Sequence, residues 1–293
     1  MSVLLCDSNC ELWYTTVKEL GIDYIPMPYL YNDREYFYDL GENTDFAAFY
    51  SAVRAGAVPK TQALNPENYK DVLEPYFAAG EDVLYISFSH AMSGTFAQLD
   101  AAISELKQKY PNRKCTVFDT KSISLGTGIQ VKAAAELKNK GASDEEIISF
   151  LNDFTNRVAV YFVVDDLMHL KRGGRLSAAS AVVGTLLSIK PMLTINAGGG
   201  LSVYEKVSGR KKAVRSLCEK VARTITDYNY PVYVLDADCK EDGDELAAMI
   251  KAHRPEADIV RQTVGPVIGS HCGPGTLGVI FIADERPLKL ENK

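Results

Sequence analysis

The sequence predicts a two-domain α/β protein. An N-terminal α/β domain on a parallel sheet is expected over residues 1–160, and a C-terminal α+β domain over 161–293. Three observations carry this. Short runs rich in Val, Ile, Tyr and Phe alternate with amphipathic helical patterns through the first half, and strands separated by helices imply parallel crossovers. The second half changes to a hairpin, a long helix and three more strand patterns. The 293 residues are long for one core and comfortable for two. No Pro/Ser-rich linker marks the boundary near 160.

The elements follow in order. The start "MSVLLCDSNCELWY" lacks a basic n-region and a long apolar core, so "VLLCD" (3–7) reads as a first strand and not as a signal peptide. "YIPMPYLY" (24–31), "DVLYIS" (82–87), "CTVFD" (115–119) and "VAVYFVV" (158–164) read as further buried strands. Between them, "NPENYKDVLEPYFAAG" offers Asn65 as an N-cap and Pro66 at the first helical position. "TFAQLDAAISELKQKY" places Phe96, Leu99, Ile103 and Leu106 on one stripe, and "SDEEIISFLNDF" opens with the capping box Ser143 and Glu146.

In the second half, "DDLMHLKRGG" predicts a helix opened by Asp165 and Asp166 and closed by Lys171 and Arg172, with Gly173 as C-cap. Arg175 lies beyond that cap and needs another reason. "SAASAVVGTLLSI" has too many small residues for a surface helix; it suits close packing or the lining of an apolar tunnel. "PMLTIN" and "LSVYEKV" form a hairpin around Gly198, Gly199 and Gly200. "RKKAVRSLCEKVARTITDY" sets Val214, Leu217, Val221 and Ile225 on one face. "YPVYVLDAD", "ADIVRQTV" and "LGVIFIAD" complete the strands, with helix "DGDELAAMIKAHRP" between the first two.

Composition narrows the function. Apolar residues make up 46% and charged residues 24%, an ordinary globular balance, and the net charge of −6 excludes the basic footprint of a nucleic-acid binder. No apolar run is long enough for stable membrane insertion. The six cysteines form no CxxC pair and no zinc spacing, so reduced thiols in a cytoplasmic protein without a metal are expected. "GPGTLG" (273–278) matches a dinucleotide fingerprint, but a strand follows it where a helix is required. There is no P-loop and no nucleophile elbow.

The stretch "SHAMSGTF" (89–96) sits where a strand turns into a helix. A helix starting there points unpaired N–H groups outward at its positive end. Gly94 admits close approach to the backbone, and Ser93 and Thr95 add hydroxyls. The bare pattern leaves three readings: a plain N-cap, an anion cradle, or a nucleophilic Ser93 in need of a base. Among the histidines, His169 and His253 suit helix C-termini. His271, in "IGSHCGPG", is placed at a loop edge where it could donate to an anion or serve structure alone.

Together these segments resemble the DegV family. The resemblance rests on "CDSNCEL", "VPKTQALNPENY", "ISFSHAMSGTFAQLDAA", "VFDTKSISLGTG", "VVDDLMHLKRGGRLSAASAVVGTLLSIKPML", "YEKVSGRKKAV" and "IGSHCGPGTLGVIFI", which run almost the whole chain in the family's order. It implies a bacterial, non-enzymatic carrier of a long-chain fatty acid in a buried tunnel. Carried over, Ser93 and Gly94 hold the carboxylate, Thr61 and His271 complete the network, and Thr95 is a weaker candidate. The family hands that carboxylate to an ATP-using fatty acid kinase subunit, and Arg172 and Arg175 would help dock it. No cofactor beyond the lipid is implied. One departure stands out: the family's P-x-T-S-Q-P-S-P reads "PKTQALNP" here, so Gln62, Ala63 and Leu64 make the surround of the carboxylate more apolar. Two other functions compete: a hydrolase of acyl esters using Ser93 and His271, and a lipid-sensing regulatory module.

Overall fold

In a computed structural model, which describes residues 2–175 and 189–287, the chain groups into two units. Met1–Thr44 and Thr61–Thr155 form the first; Asp45–Lys60 and Asn156–Lys293 form the second. In chain order the elements up to Thr155 are β1 (Val3–Asp7), α1 (Tyr14–Leu20), β2 (Asp23–Ile25), β3 (Pro28–Tyr31), β4 (Arg34–Phe37), α2 (Phe46–Arg54), β5 (Lys60–Thr61), α3 (Pro66–Ala78), β6 (Val83–Ser87), α4 (Thr95–Lys109), β7 (Cys115–Asp119), α5 (Leu125–Asn139) and α6 (Asp144–Thr155).

The first unit is built on a four-stranded parallel sheet of order β2-β1-β6-β7. Its central strands are buried on both faces, which is why they read as apolar runs without alternation. The expected single strand 24–31 is two strands in different sheets. Pro26 cannot extend the ladder, and the next N–H, that of Met27, is taken at 2.9 Å by the Ser8 hydroxyl. The chain then turns into the antiparallel hairpin β3–β4, with β5 beside β3.

The helix signals hold where they are local. Asn65 accepts from Asn68 N–H at 2.9 Å, and Asn68 returns the bond to Asn65 N–H at 3.1 Å, with Pro66 at the first helical position. Ser143 and Glu146 form the second reciprocal pair, at 2.8 and 3.2 Å. Asn65→Ala removes the side-chain acceptor of Asn68 N–H and should lower the first unit's stability by about 1 kcal/mol, read as a shift in the denaturant midpoint at unchanged slope.

The second unit takes α2 and continues with β8 (Val158–Val163), α7 (Leu167–Arg172), β9 (Ile189–Ile195), β10 (Leu201–Ser208), α8 (Arg210–Thr224), β11 (Val232–Asp236), α9 (Lys240–His253), β12 (Ile259–Thr263), α10 (Pro266–Cys272) and β13 (Leu277–Ile282). Its sheet order is β10-β9-β8-β13-β11-β12, antiparallel except for β11–β12. The expected boundary near residue 160 lies inside β8, which pairs with β13 from Val158↔Ile282 to Val163↔Leu277. Val214, Leu217 and Val221 on α8 are buried against this sheet with Val234, Leu246, Val279 and Phe281. Ile225, on the same predicted face, lies one residue past the helix and bridges to Ala283. Helix α2 is held to this unit by long-range bonds: Tyr50 Oη donates to Val264 O at 2.7 Å, and Arg54 pairs with the Asp238 carboxylate and donates to its carbonyl at 2.7 Å. Most of the small-residue segment "SAASAVVGTLLSI" lies outside the described residues.

Candidate functional site

The order of the parallel sheet marks a crevice. From β1 the chain crosses through α1 to β2 on one side, and from β6 through α4 to β7 on the other. Strands β1 and β6 are neighbours, so the order reverses between them. In open α/β sheets ligands bind outside the carboxyl ends of the strands at such a reversal. The loops found there are "DSNCE" after β1 and "FSHAMSG" after β6.

The Ser-Gly-Thr turn closes the second of these loops. The half-buried Ser93 has extended backbone, with φ −151° and ψ 141°, and its Oγ accepts from Thr95 N–H at 3.2 Å. Helix α4 then runs for 15 residues, so its N-terminal amides carry the full helix dipole. Gly94 is exposed, and a Cβ there would meet no atom within 4 Å. Its lack of a side chain therefore serves no packing need, and the space beside it at the start of α4 is open. Thr95 is fully buried and its Oγ1 lies 2.8 Å from the Tyr69 hydroxyl, tying the start of α4 to α3. That bond gives Thr95 an anchoring role.

The histidine closest to Ser93 along the chain is engaged elsewhere. His90, the histidine nearest in sequence, has its Nε2 3.0 Å from Ser87 Oγ and its ring stacked 3.8 Å from that of Phe96. Thr61, half-buried, ends β5. Beyond it Gln62 and Ala63 are exposed and Leu64 is buried.

His271, Arg172 and Arg175 belong to the second unit. His271 is helical, in the last turn of α10, and not at a loop edge; Gly265 and Pro266 start that helix. Burial, with Arg175 adding to it, pushes its pKa down to about 4, so at neutral pH the ring is uncharged and carries a single N–H. Helix α7 ends in a Schellman motif: Gly174 N–H bonds Lys171 O and Arg175 N–H bonds Leu170 O, both at 3.0 Å. Gly173 is the cap, as expected, and Gly174 supplies the left-handed residue at φ +70°. Arg175 thus has a backbone reason for its place, and its guanidinium donates to Gly173 O. Arg172 is exposed.

The two most distinctive segments of this unit interlock. A Cβ on Gly173 would stand 2.3 Å from His271 Nδ1, and one on Gly273 would stand 2.4 Å from the His169 ring. Each histidine lies over the other segment's glycine. Arg210 adds a third strap, donating to Gly275 O at 2.7 Å and to Asp242 at 2.8 Å.

Several polar groups at the crevice were not foreseen. Asp7, at the end of β1, is fully buried and accepts from Asn9 N–H and Tyr85 Oη, each at 2.9 Å. Glu11, also buried, accepts from the Ser124 hydroxyl; Ser124 has φ 57° and ψ −148°, a conformation otherwise left to glycine. Asn9 Oδ1 and Ser122 Oγ are buried without a hydrogen-bond partner among the described residues. Such atoms ordinarily meet ordered water or a ligand's polar group. The available signal was positional: each group follows the carboxyl end of a parallel strand. Among the described residues no cluster of His, Cys, Asp and Glu could hold a metal ion, and no helix is long and apolar enough to cross a membrane.

Known proteins match this chain over nearly its full length. The sequence profile described as "Uncharacterised protein, DegV family" covers residues 2–284. A DegV domain-containing protein of Clostridium perfringens is 38% identical over 97% of this chain and 98% of its own length. A fatty-acid-binding DegV family protein from Thermus thermophilus superposes with a TM-score of 0.84 at 29% identity, covering 96% of this chain and 99% of that one. The fatty acid binding protein DegV from Bacillus subtilis gives 0.81 at 29% identity, covering 96% and 98%.

Proposed function

This chain belongs to the DegV family, and on that premise we propose that it binds a long-chain fatty acid without turning it over and holds the carboxylate at the Ser93–Gly94–Thr95 turn. The observation that carries the reading is the open space around Gly94 at the start of α4, at the reversal point of the parallel sheet. The fatty-acid-binding proteins from Thermus thermophilus and Bacillus subtilis, alike in fold over their whole length, support the ligand class. Each buried CH₂ of an acyl tail contributes about 0.8 kcal/mol, so the tail supplies most of the affinity. The head must still be satisfied, because an unpaired buried carboxylate is costly. Amide N–H groups and the Ser93 hydroxyl meet that need without a base.

Thr61 and His271 are assigned to the same head group by family resemblance, with His271 as a neutral donor. The product side of the proposal is a fatty acid kinase subunit that converts the carboxylate to acyl phosphate, with Arg172 and Arg175 at its docking surface. Ser93→Ala should reduce lipid retained through purification roughly tenfold, the value of one hydrogen bond to a charged group, measured by solvent extraction and mass spectrometry. A wild-type protein that carries no fatty acid and binds none across chain lengths overturns the reading. Labelling of Ser93 by a fluorophosphonate probe would replace it with a hydrolase.

A further inference from the structure

Asp7 is poorly compensated for a buried carboxylate. Besides its bonds to Asn9 and Tyr85, it accepts Phe88 N–H at 3.4 Å. Phe88 begins the loop that runs to Ser93, so this carboxylate joins the end of β1 to the root of the head-group turn. The titratable groups facing it are Cys6 on its own strand, Tyr85 from β6 and Tyr69 from α3. The hydrogen bond with Cys10, together with burial, raises the pKa of Cys6, and burial raises those of Tyr69 and Tyr85, so each is uncharged at neutral pH. Among the described residues, none of the groups that shift Asp7 is a cation. A second carboxylate arriving at the turn brings a like charge to the loop whose first residue, Phe88, Asp7 holds, which favours the neutral form of the first.

We propose that Asp7 is a positioning residue of the head-group loop and takes up a proton when an acyl carboxylate binds, coupling occupancy of the turn to pH. This rests on the fatty-acid reading above. Burial already holds Asp7 at a pKa of about 7, so both protonation states are populated near neutrality. A bound anion raises that value further. Affinity for the anionic ligand is therefore highest below the pKa of the free protein and falls as pH rises through the pKa of the complex.

The test is calorimetric titration of the delipidated full chain with oleate, from about pH 6 to about pH 9, in paired buffers of different ionisation enthalpy. Wild type should weaken roughly tenfold across this range, one pKa unit of coupling, and take up a fraction of a proton per oleate near neutrality. Asp7→Asn should show neither, and oleate's own ionisation cancels in the comparison. Tyr85→Phe keeps the carboxyl but removes a donor that lowers its pKa, so the fall in affinity should move to higher pH. An Asp7→Asn profile with the wild-type slope, or an unmoved Tyr85→Phe midpoint, overturns the inference and leaves the lipid reading standing. Absence of oleate binding by wild type at every pH overturns both.

Discussion

Gly273→Ala should cost the second unit about 3 kcal/mol and lower its melting temperature by roughly 10 °C. Two effects add. At φ +73° and ψ 170° the backbone adopts a conformation that side chains avoid. The new Cβ would also stand 2.4 to 2.8 Å from three atoms of the His169 ring, which real contacts never show. The ring could yield only by leaving its place over Gly273, on a helix held by its Asp166 cap at one end and the Schellman motif at the other. Gly174→Ala separates the two effects. Its φ is +70°, but a Cβ there meets open space, so it should lose only about 1 kcal/mol. Equal losses in the two variants, measured by thermal denaturation, would show that the interlock of His169 and His271 with the facing glycines is not what stabilises this region.

That interlock also shows what the sequence could and could not reveal. Caps and turns were legible because their partners lie within a few residues: Asn65 with Asn68, Ser143 with Glu146, and Asn196 closing the glycine turn by accepting from Gly198 N–H at 2.9 Å. The parallel sheet was legible because its strands are buried on both faces and separated by helices. The placement of α2 was not, since its reasons, Val264 and Asp238, lie about 200 residues away. The helical state of His271 was hidden by "PVIGSHCG", whose small residues blur the apolar period, although Pro266 was a start signal. At the crevice, the turn itself could be read as strand, serine, glycine, helix. The supports of that turn, Tyr69 beneath Thr95 and Asp7 beneath Phe88, are tertiary contacts that no local pattern encodes.

Gly94→Val should strip the protein of lipid while leaving it folded. The exposed glycine has φ −78° and ψ 2°, outside the left-handed region, and the space around its Cβ is open. The cost to folding is that of a poorer helix start, about 1 kcal/mol. The cost to ligand is larger, because branched methyl groups would stand where the proposed carboxylate would approach the start of α4. Losing two charge-assisted hydrogen bonds, at roughly 1.5 to 3 kcal/mol each, lowers affinity by about 100-fold or more. Asn65→Ala is the matched control, since it removes a similar amount of stability from the same unit at a helix start with no assigned ligand. Extraction of both variants should find fatty acid on Asn65→Ala and almost none on Gly94→Val. A Gly94→Val protein that keeps its lipid at the control's occupancy would mean that the amides of this turn do not hold the carboxylate, whatever else binds the tail.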